Sequence, residues 1–130
     1  MRIGEFAFNK ELEVEGRWVE EIEGLRLKIA RLNNPPYKAY IRKNGRRISK
    51  ANGRMDFDAA DEIAKKAFSK FILLGWENLQ DDEGNDIPYS SEKALELMTE
   101  YDEFYSMITE HASNAEAYKQ NEMESDSGNS

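Results

Sequence analysis

From Arg17 onward, apolar and polar positions alternate with a period of about two. Trp18, Glu20 and Ile22 fall on one face of an extended segment, and Leu25, Leu27 and Ile29 on one face of the next. Glu23-Gly24 suits a two-residue turn between them, so residues 17–30 predict a β-hairpin. In that register Ile22 faces Leu25, Trp18 faces Ile29, and Glu21 faces Arg26. Apolar and opposite-charge pairs of this kind stabilise a hairpin. Glu20 is left opposite Leu27, which is a mismatch. A lone hairpin is marginal in water, so this one is expected to lie on other elements. Residues 1–12 are weakly patterned: Phe6, Phe8 and Leu12 can pack, but no element is assigned there.

After the hairpin the pattern turns helical. Asn33-Asn34-Pro35-Pro36 ends the strand, Asn34 can cap, and Pro35 suits a first helical position. A helix over 35–43 then carries Tyr37, Tyr40 and Ile41, with Asn44-Gly45 as its stop. Residues 46–55 are basic and contain Gly and Asn, which reads as a loop. The strongest helical pattern spans 58–74, with Ala60, Ile63, Ala64, Ala67, Phe68, Phe71 and Ile72 on one face. Asp58 is its expected cap, Asp61 and Glu62 sit in its first turn, and Gly75 is its expected stop. Two more helices follow, over 91–99 with Ala94, Leu95 and Met98, and over 102–118 with Phe104, Ile108, Ala112, Ala115 and Tyr118. The fold class is therefore mainly α with a small N-terminal β-hairpin (α+β). Residues 1–118 form a single helical domain, and 119–130 a disordered acidic tail with almost nothing to bury.

Composition narrows the chemistry. The 130 residues include no cysteine, which excludes disulfides, thiolate catalysis and cysteine-bound zinc. No apolar run approaches the ~20 residues of a membrane span, and Met-Arg-Ile-Gly-Glu-Phe is not a signal peptide. A cytoplasmic protein is expected. Asp81-Asp82-Glu83-Gly84-Asn85-Asp86 resembles a calcium loop only superficially. With Gly84 at the sixth EF-hand position, Leu79 falls at the first and Ser90 at the twelfth, so an acidic turn is the better reading. His111 is the single histidine and has no second one to share a metal, so a structural role is expected. Asp56, Asp58, Asp61 and Glu62 form a carboxylate cluster whose spacing suits capping and dipole compensation better than acid–base work. No phosphate loop, nucleophile elbow or zinc motif appears. The chain reads as a non-enzyme without metal or cofactor.

Charge is more telling than its total. The net charge is −8, yet residues 25–55 hold ten Lys or Arg and no acid. Arg42, Lys43, Arg46, Arg47, Lys50 and Arg54 are the candidate partner-binding residues of this stretch. Such segregation can guide partner contact or self-association, or it can reflect a basic face pairing internally with the acidic C-terminal half. With Tyr37 and Tyr40 interleaved, segment 26–54 also supports a nucleic-acid-binding or regulatory module as the alternative. The acidic whole argues against nucleic acid. Trp18, Gly75 and Trp76 are read as structural, Trp76 as a core plug whose indole N–H finds one acceptor.

The order of the motifs resembles the tail assembly chaperones of long-tailed, siphovirus-type bacteriophages. The first part is Asn9-Lys-Glu-Leu-Glu-Val-Glu-Gly-Arg-Trp-Val, then Leu27-Lys-Ile-Ala-Arg-Leu-Asn-Asn and the Tyr37 segment. The second is Ile72-Leu-Leu-Gly-Trp-Glu-Asn-Leu, Asp82-Glu-Gly-Asn-Asp-Ile-Pro-Tyr-Ser, Ala94-Leu-Glu-Leu-Met, and Tyr101 to Ala112. The resemblance spans roughly Asn9 to Tyr118 and transfers no catalytic residue. It implies a protein of the host cytoplasm, absent from the mature virion, that binds the tape measure protein, keeps it soluble and promotes assembly of the tail-tube protein around it. It also implies a frameshifted longer form of the chain, and a homo-oligomer is compatible with the split charge.

Overall fold

The computed structural model describes residues 1–48 and 53–119, apart from the side chains of Glu21 and Arg47. Lys50 and residues 120–130 of the predicted tail lie outside the described residues. The elements in chain order are α1 (Lys10–Glu15), β1 (Arg17–Ile22), β2 (Leu25–Ile29), α2 (Pro35–Asn44), α3 (Phe57–Phe71), β3 (Leu73–Glu77), α4 (Ser91–Glu100) and α5 (Asp102–Ala112). Short 3-10 turns lie at Ile3–Phe6, Gly45–Arg47 and Ala115–Tyr118. The protein is mainly helical with a small antiparallel sheet, as its periodicity predicts.

The sheet has three strands in the order β1-β2-β3, one more than the hairpin predicted. The turn at Glu23-Gly24 forms, with Gly24 at φ 87°, and Ile22 pairs with Leu25. Beyond that pair a bulge between Glu20 and Ile22 shifts the register by one. Val19 pairs with Leu27, and Trp18 with Lys28, so the expected pairing of Trp18 with Ile29 is overturned. The bulge removes the Glu20–Leu27 mismatch, because Glu20 now opposes Arg26. The buried row across the sheet is Val19, Leu27 and Trp76.

β3 corrects the reading of the central helix. The run Phe71-Ile72-Leu73-Leu74 fits helix or strand equally by polarity. The helix ends at Phe71, and Leu73–Glu77 pairs with β2. The open edge of β2 decides the matter, because its backbone groups need partners that a longer helix would not supply. Gly75 is therefore a strand residue and not a helix stop. Its partner is Lys28, and a Cβ built on it would lie 3.7 Å from Cη2 of Trp18. Trp18 lies on the outer sheet face, 41% exposed, with the Arg26 guanidinium 4.7 Å from its ring centroid and Arg26 paired to Glu77 at 2.9 Å.

Helix boundaries follow local capping. Asn34 caps α2 by accepting from the Tyr37 N–H at 2.9 Å, as expected. Gly45 has an ordinary right-handed backbone, so α2 runs on into a 3-10 turn there. Asp56, not Asp58, caps α3, accepting from the Ala59 N–H at 3.1 Å. Ser90 caps α4, accepting from the Lys93 N–H at 3.0 Å. The last helix stops at Ala112, six residues short of expectation, and Asn114 precedes a 3-10 turn that carries Tyr118 inward. Tyr118 is fully buried, and its hydroxyl donates to the Ile29 carbonyl at 2.8 Å. The next residue, Lys119, bridges to Phe8 and so belongs to the fold, not to a tail. The unassigned N-terminus forms α1, capped by Asn9, whose N–H donates to the Tyr118 carbonyl at 2.8 Å.

The core lies between the inner sheet face and α3, α4 and α5. Ile63, Ala67, Phe68, Ile72, Leu73, Ala94, Met98, Ile108 and Ala112 are buried there with the inner strand residues. Phe68 is edge-on to both Tyr37 (5.9 Å) and Tyr105 (4.9 Å), which joins α2, α3 and α5.

Candidate partner-binding site

Two surface regions, an open groove and a basic segment, are the candidates. The first begins at Trp76, which is buried and donates its indole N–H to the Ile87 carbonyl at 2.7 Å. Tyr89 packs edge-on to Trp76 at 4.9 Å, and its hydroxyl donates to the Leu73 carbonyl at 2.6 Å. Burial, and secondarily the Glu92 carboxylate, push the Tyr89 hydroxyl above its ordinary pKa, so it stays a donor. These bonds clamp the C-terminal end of the 79–87 loop to β3.

The loop closes on itself. The Ile87 N–H donates to the Leu79 carbonyl at 2.8 Å, and the Asp81 carboxylate accepts from the N–H groups of Glu83 and Asn85, both at 2.9 Å. Gly84 takes φ 83°, where an L side chain is strained. Asp81 thus orders its own turn, as the acidic-turn reading expects.

Between this loop and the α4–α5 corner lies an open groove of about 450 Å³. Leu79, Ile87, Leu97 and Phe104 form its apolar floor, half-buried against the core. Tyr101, 52% exposed, stands at the corner. Asp81, Asp82, Glu96 and Glu100 make the rim, with Lys93 paired to Glu96 at 3.2 Å. Sequence reading missed this groove. It assigned Leu97 and Tyr101 to no face, and the approach of the loop to α4 depends on the Trp76–Ile87 bond, which no periodicity encodes.

The second surface is the predicted basic segment. Arg42 and Lys43 are exposed in the last turn of α2, and Arg46 is exposed in the following 3-10 turn, which also contains Arg47. Arg54 is exposed just before α3, and Lys50 lies outside the described residues. Within the same stretch Arg26 pairs with Glu77, and Arg31 pairs with Glu13 at 3.0 Å while lying 3.7 Å from the Phe8 ring centroid. Internal pairing therefore accounts for Arg26 and Arg31. The aromatics do not join the exposed part. Tyr37 packs on Phe68, and Tyr40 packs on Phe71 at 5.7 Å.

The carboxylates at the start of α3 make local contacts. Asp61 pairs with Lys65 at 3.0 Å and Glu62 with Lys66 at 2.9 Å along α3, while Asp56 caps it. His111 sits half-buried in the last turn of α5. Among the described residues no group of three or more His, Cys, Asp or Glu is arranged to hold a metal ion.

A family model described as YdaY prophage protein matches residues 32–129, well over half of the chain. The chain belongs to this family and is a phage-derived protein. The match begins just after β2, so α2 to α5, β3 and the groove lie within it, while α1, β1 and β2 precede it. No curated protein and no solved structure matches the chain.

Proposed function

We propose that this prophage protein is a tail assembly chaperone that acts without catalysis in the host cytoplasm. It binds the tape measure protein, keeps it soluble and promotes assembly of the tail-tube protein. The observation that carries the reading is the ordered set of chaperone-like motifs from Ile72 to Ala112 on a chain of a prophage family. The groove supports it physically. A long helical tape measure protein exposes apolar stripes before assembly, and a groove on a small domain can cover such a stripe by helix-in-groove contact. The net charge of −8 favours solubility of the complex.

The test is co-purification of the tape measure protein encoded by the same prophage with the tagged full chain. Binding that survives nuclease and moderate salt supports the chaperone. Binding to DNA or RNA alone that weakens steeply with salt would instead favour the nucleic-acid module on segment 26–54. Against that alternative, Tyr37 and Tyr40 are packed on α3 and offer no base-stacking platform.

A further inference from the structure

The groove is apolar below and acidic around. Its floor carries Leu79, Ile87, Leu97 and Phe104, and its rim sets four carboxylates against the single Lys93, already paired to Glu96. A ligand that fills it must bring apolar side chains in a row and positive charge beside them. Along the floor runs α4, ten residues from Ser91 to Glu100. That length matches about three turns of a helix laid beside it. We propose that the groove receives a partner's cationic amphipathic helix, with apolar anchors at i, i+3 or i+4 and i+7 on the floor and Lys or Arg against Asp82, Glu96 and Glu100. The binding chemistry stands on the groove alone, and only the identification of the donor as the tape measure protein rests on the chaperone reading.

Two nearer occupants fit less well. The basic helix α2 of a second copy has the charge but no anchor, since Tyr37 and Tyr40 are turned onto Phe68 and Phe71. Residues 120–130 of the chain itself offer Met123 as their only hydrophobic side chain, between Glu122 and Glu124, and the rim would repel them.

The probe is a fluorescein-labelled peptide of ~20 residues with Leu at the anchor positions and Lys on the flanks. Two controls accompany it, one with Glu for Lys and one with Ser for Leu. Anisotropy titration of the full chain is expected to show micromolar binding of the Lys–Leu peptide and at least about tenfold weaker binding of either control. Tyr101→Ala and the pair Asp82→Lys and Glu100→Lys change exposed side chains, and each is expected to weaken binding by about tenfold. Circular dichroism checks that these variants stay folded, and amide shift perturbations on the wild-type chain should centre on 79–87 and 97–104.

The proposal is overturned if the Lys–Leu peptide does not bind, if the Glu peptide binds as well, or if the shifts centre on α2. Dimerisation of the chain that Tyr101→Ala abolishes would assign the groove to a second copy and also overturn it. The two readings fail separately. Peptide binding in the groove with no hold on the tape measure protein rejects the chaperone alone. Tape measure binding that both groove variants leave intact rejects the groove alone.

Discussion

Asn34→Ala is expected to be among the costliest single substitutions outside the apolar core. Asn34 is 1% exposed and uses both ends of its amide. Its Oδ1 accepts from the Tyr37 N–H at 2.9 Å, capping α2. Its Nδ2 donates to the Arg31 carbonyl at 2.9 Å and to the Phe71 carbonyl, the last of α3, at 3.1 Å. Alanine removes all three bonds. Loss of the cap costs about 1 kcal/mol. The Arg31 carbonyl keeps the Asn34 backbone N–H at 3.2 Å. Losing its side-chain donor leaves the Phe71 carbonyl unpaired at a cost of about 1–3 kcal/mol. The sum is about 2–4 kcal/mol, a large share of the ~5–15 kcal/mol that holds a domain together. Urea unfolding followed by far-ultraviolet circular dichroism should show a lower midpoint with unchanged slope.

Asn34→Asp sharpens the test. It keeps the acceptor for Tyr37 but replaces the donor with an oxygen facing two carbonyl oxygens. At neutral pH it should be at least as destabilising as alanine. It should recover relative to wild type under acid conditions, where a protonated carboxyl can donate again. A cost for Asn34→Ala below about 0.5 kcal/mol, typical of an exposed surface site, would refute the reasoning.

Four further outcomes follow from the structure. Gly16→Ala should cost about 2 kcal/mol or more, because Gly16 has φ 85° and a Cβ there would meet the Ile29 carbonyl carbon and oxygen at 3.1 Å. Gly75→Ala should be neutral or slightly stabilising in the same urea unfolding, since its Cβ would meet Trp18 and Lys28 only at 3.7 Å; a loss above about 1 kcal/mol would restore the helix-stop reading. Trp18→Phe, which leaves the buried Trp76, should emit at shorter wavelength than Trp76→Phe, which leaves the half-exposed Trp18; the reverse order would contradict the bulged register. Burial first, then Tyr37 and Asp61, push the Tyr105 hydroxyl up to about 12. Because the folded value lies above the ordinary 10.0, this contribution to stability is intact below pH 10.0 and is lost as pH rises toward 12. Tyr105→Phe should flatten that alkaline loss in pH-dependent melts, and an unchanged slope would count against it.

The legible parts of the fold were those set by local chemistry. The Asn34-Pro35 helix start and the Glu23-Gly24 turn depend on neighbours in sequence, and each forms as its residue types demand. The misread parts depend on distant partners. β3 exists because β2 has an edge to fill, and the bulge after Glu20 exists because Val19 packs better against Leu27 than glutamate would. Lys119 is held by Phe8 and Tyr118 by Ile29, contacts that span most of the chain. For the site, charge segregation singles out Arg42, Lys43, Arg46, Arg47, Lys50 and Arg54, of which Arg42, Lys43, Arg46 and Arg54 are exposed. The groove required the loop to fold back on α4, and its four apolar floor residues are scattered from Leu79 to Phe104.

The central claim is that the chain keeps a tape measure protein soluble. It is tested most directly by expressing that protein, encoded by the same prophage, with and without the full chain and measuring its soluble fraction after nuclease treatment. The account predicts an insoluble tape measure protein alone and a soluble complex when both are made. A tape measure protein equally insoluble in the presence of the chain, at matched expression, would contradict it.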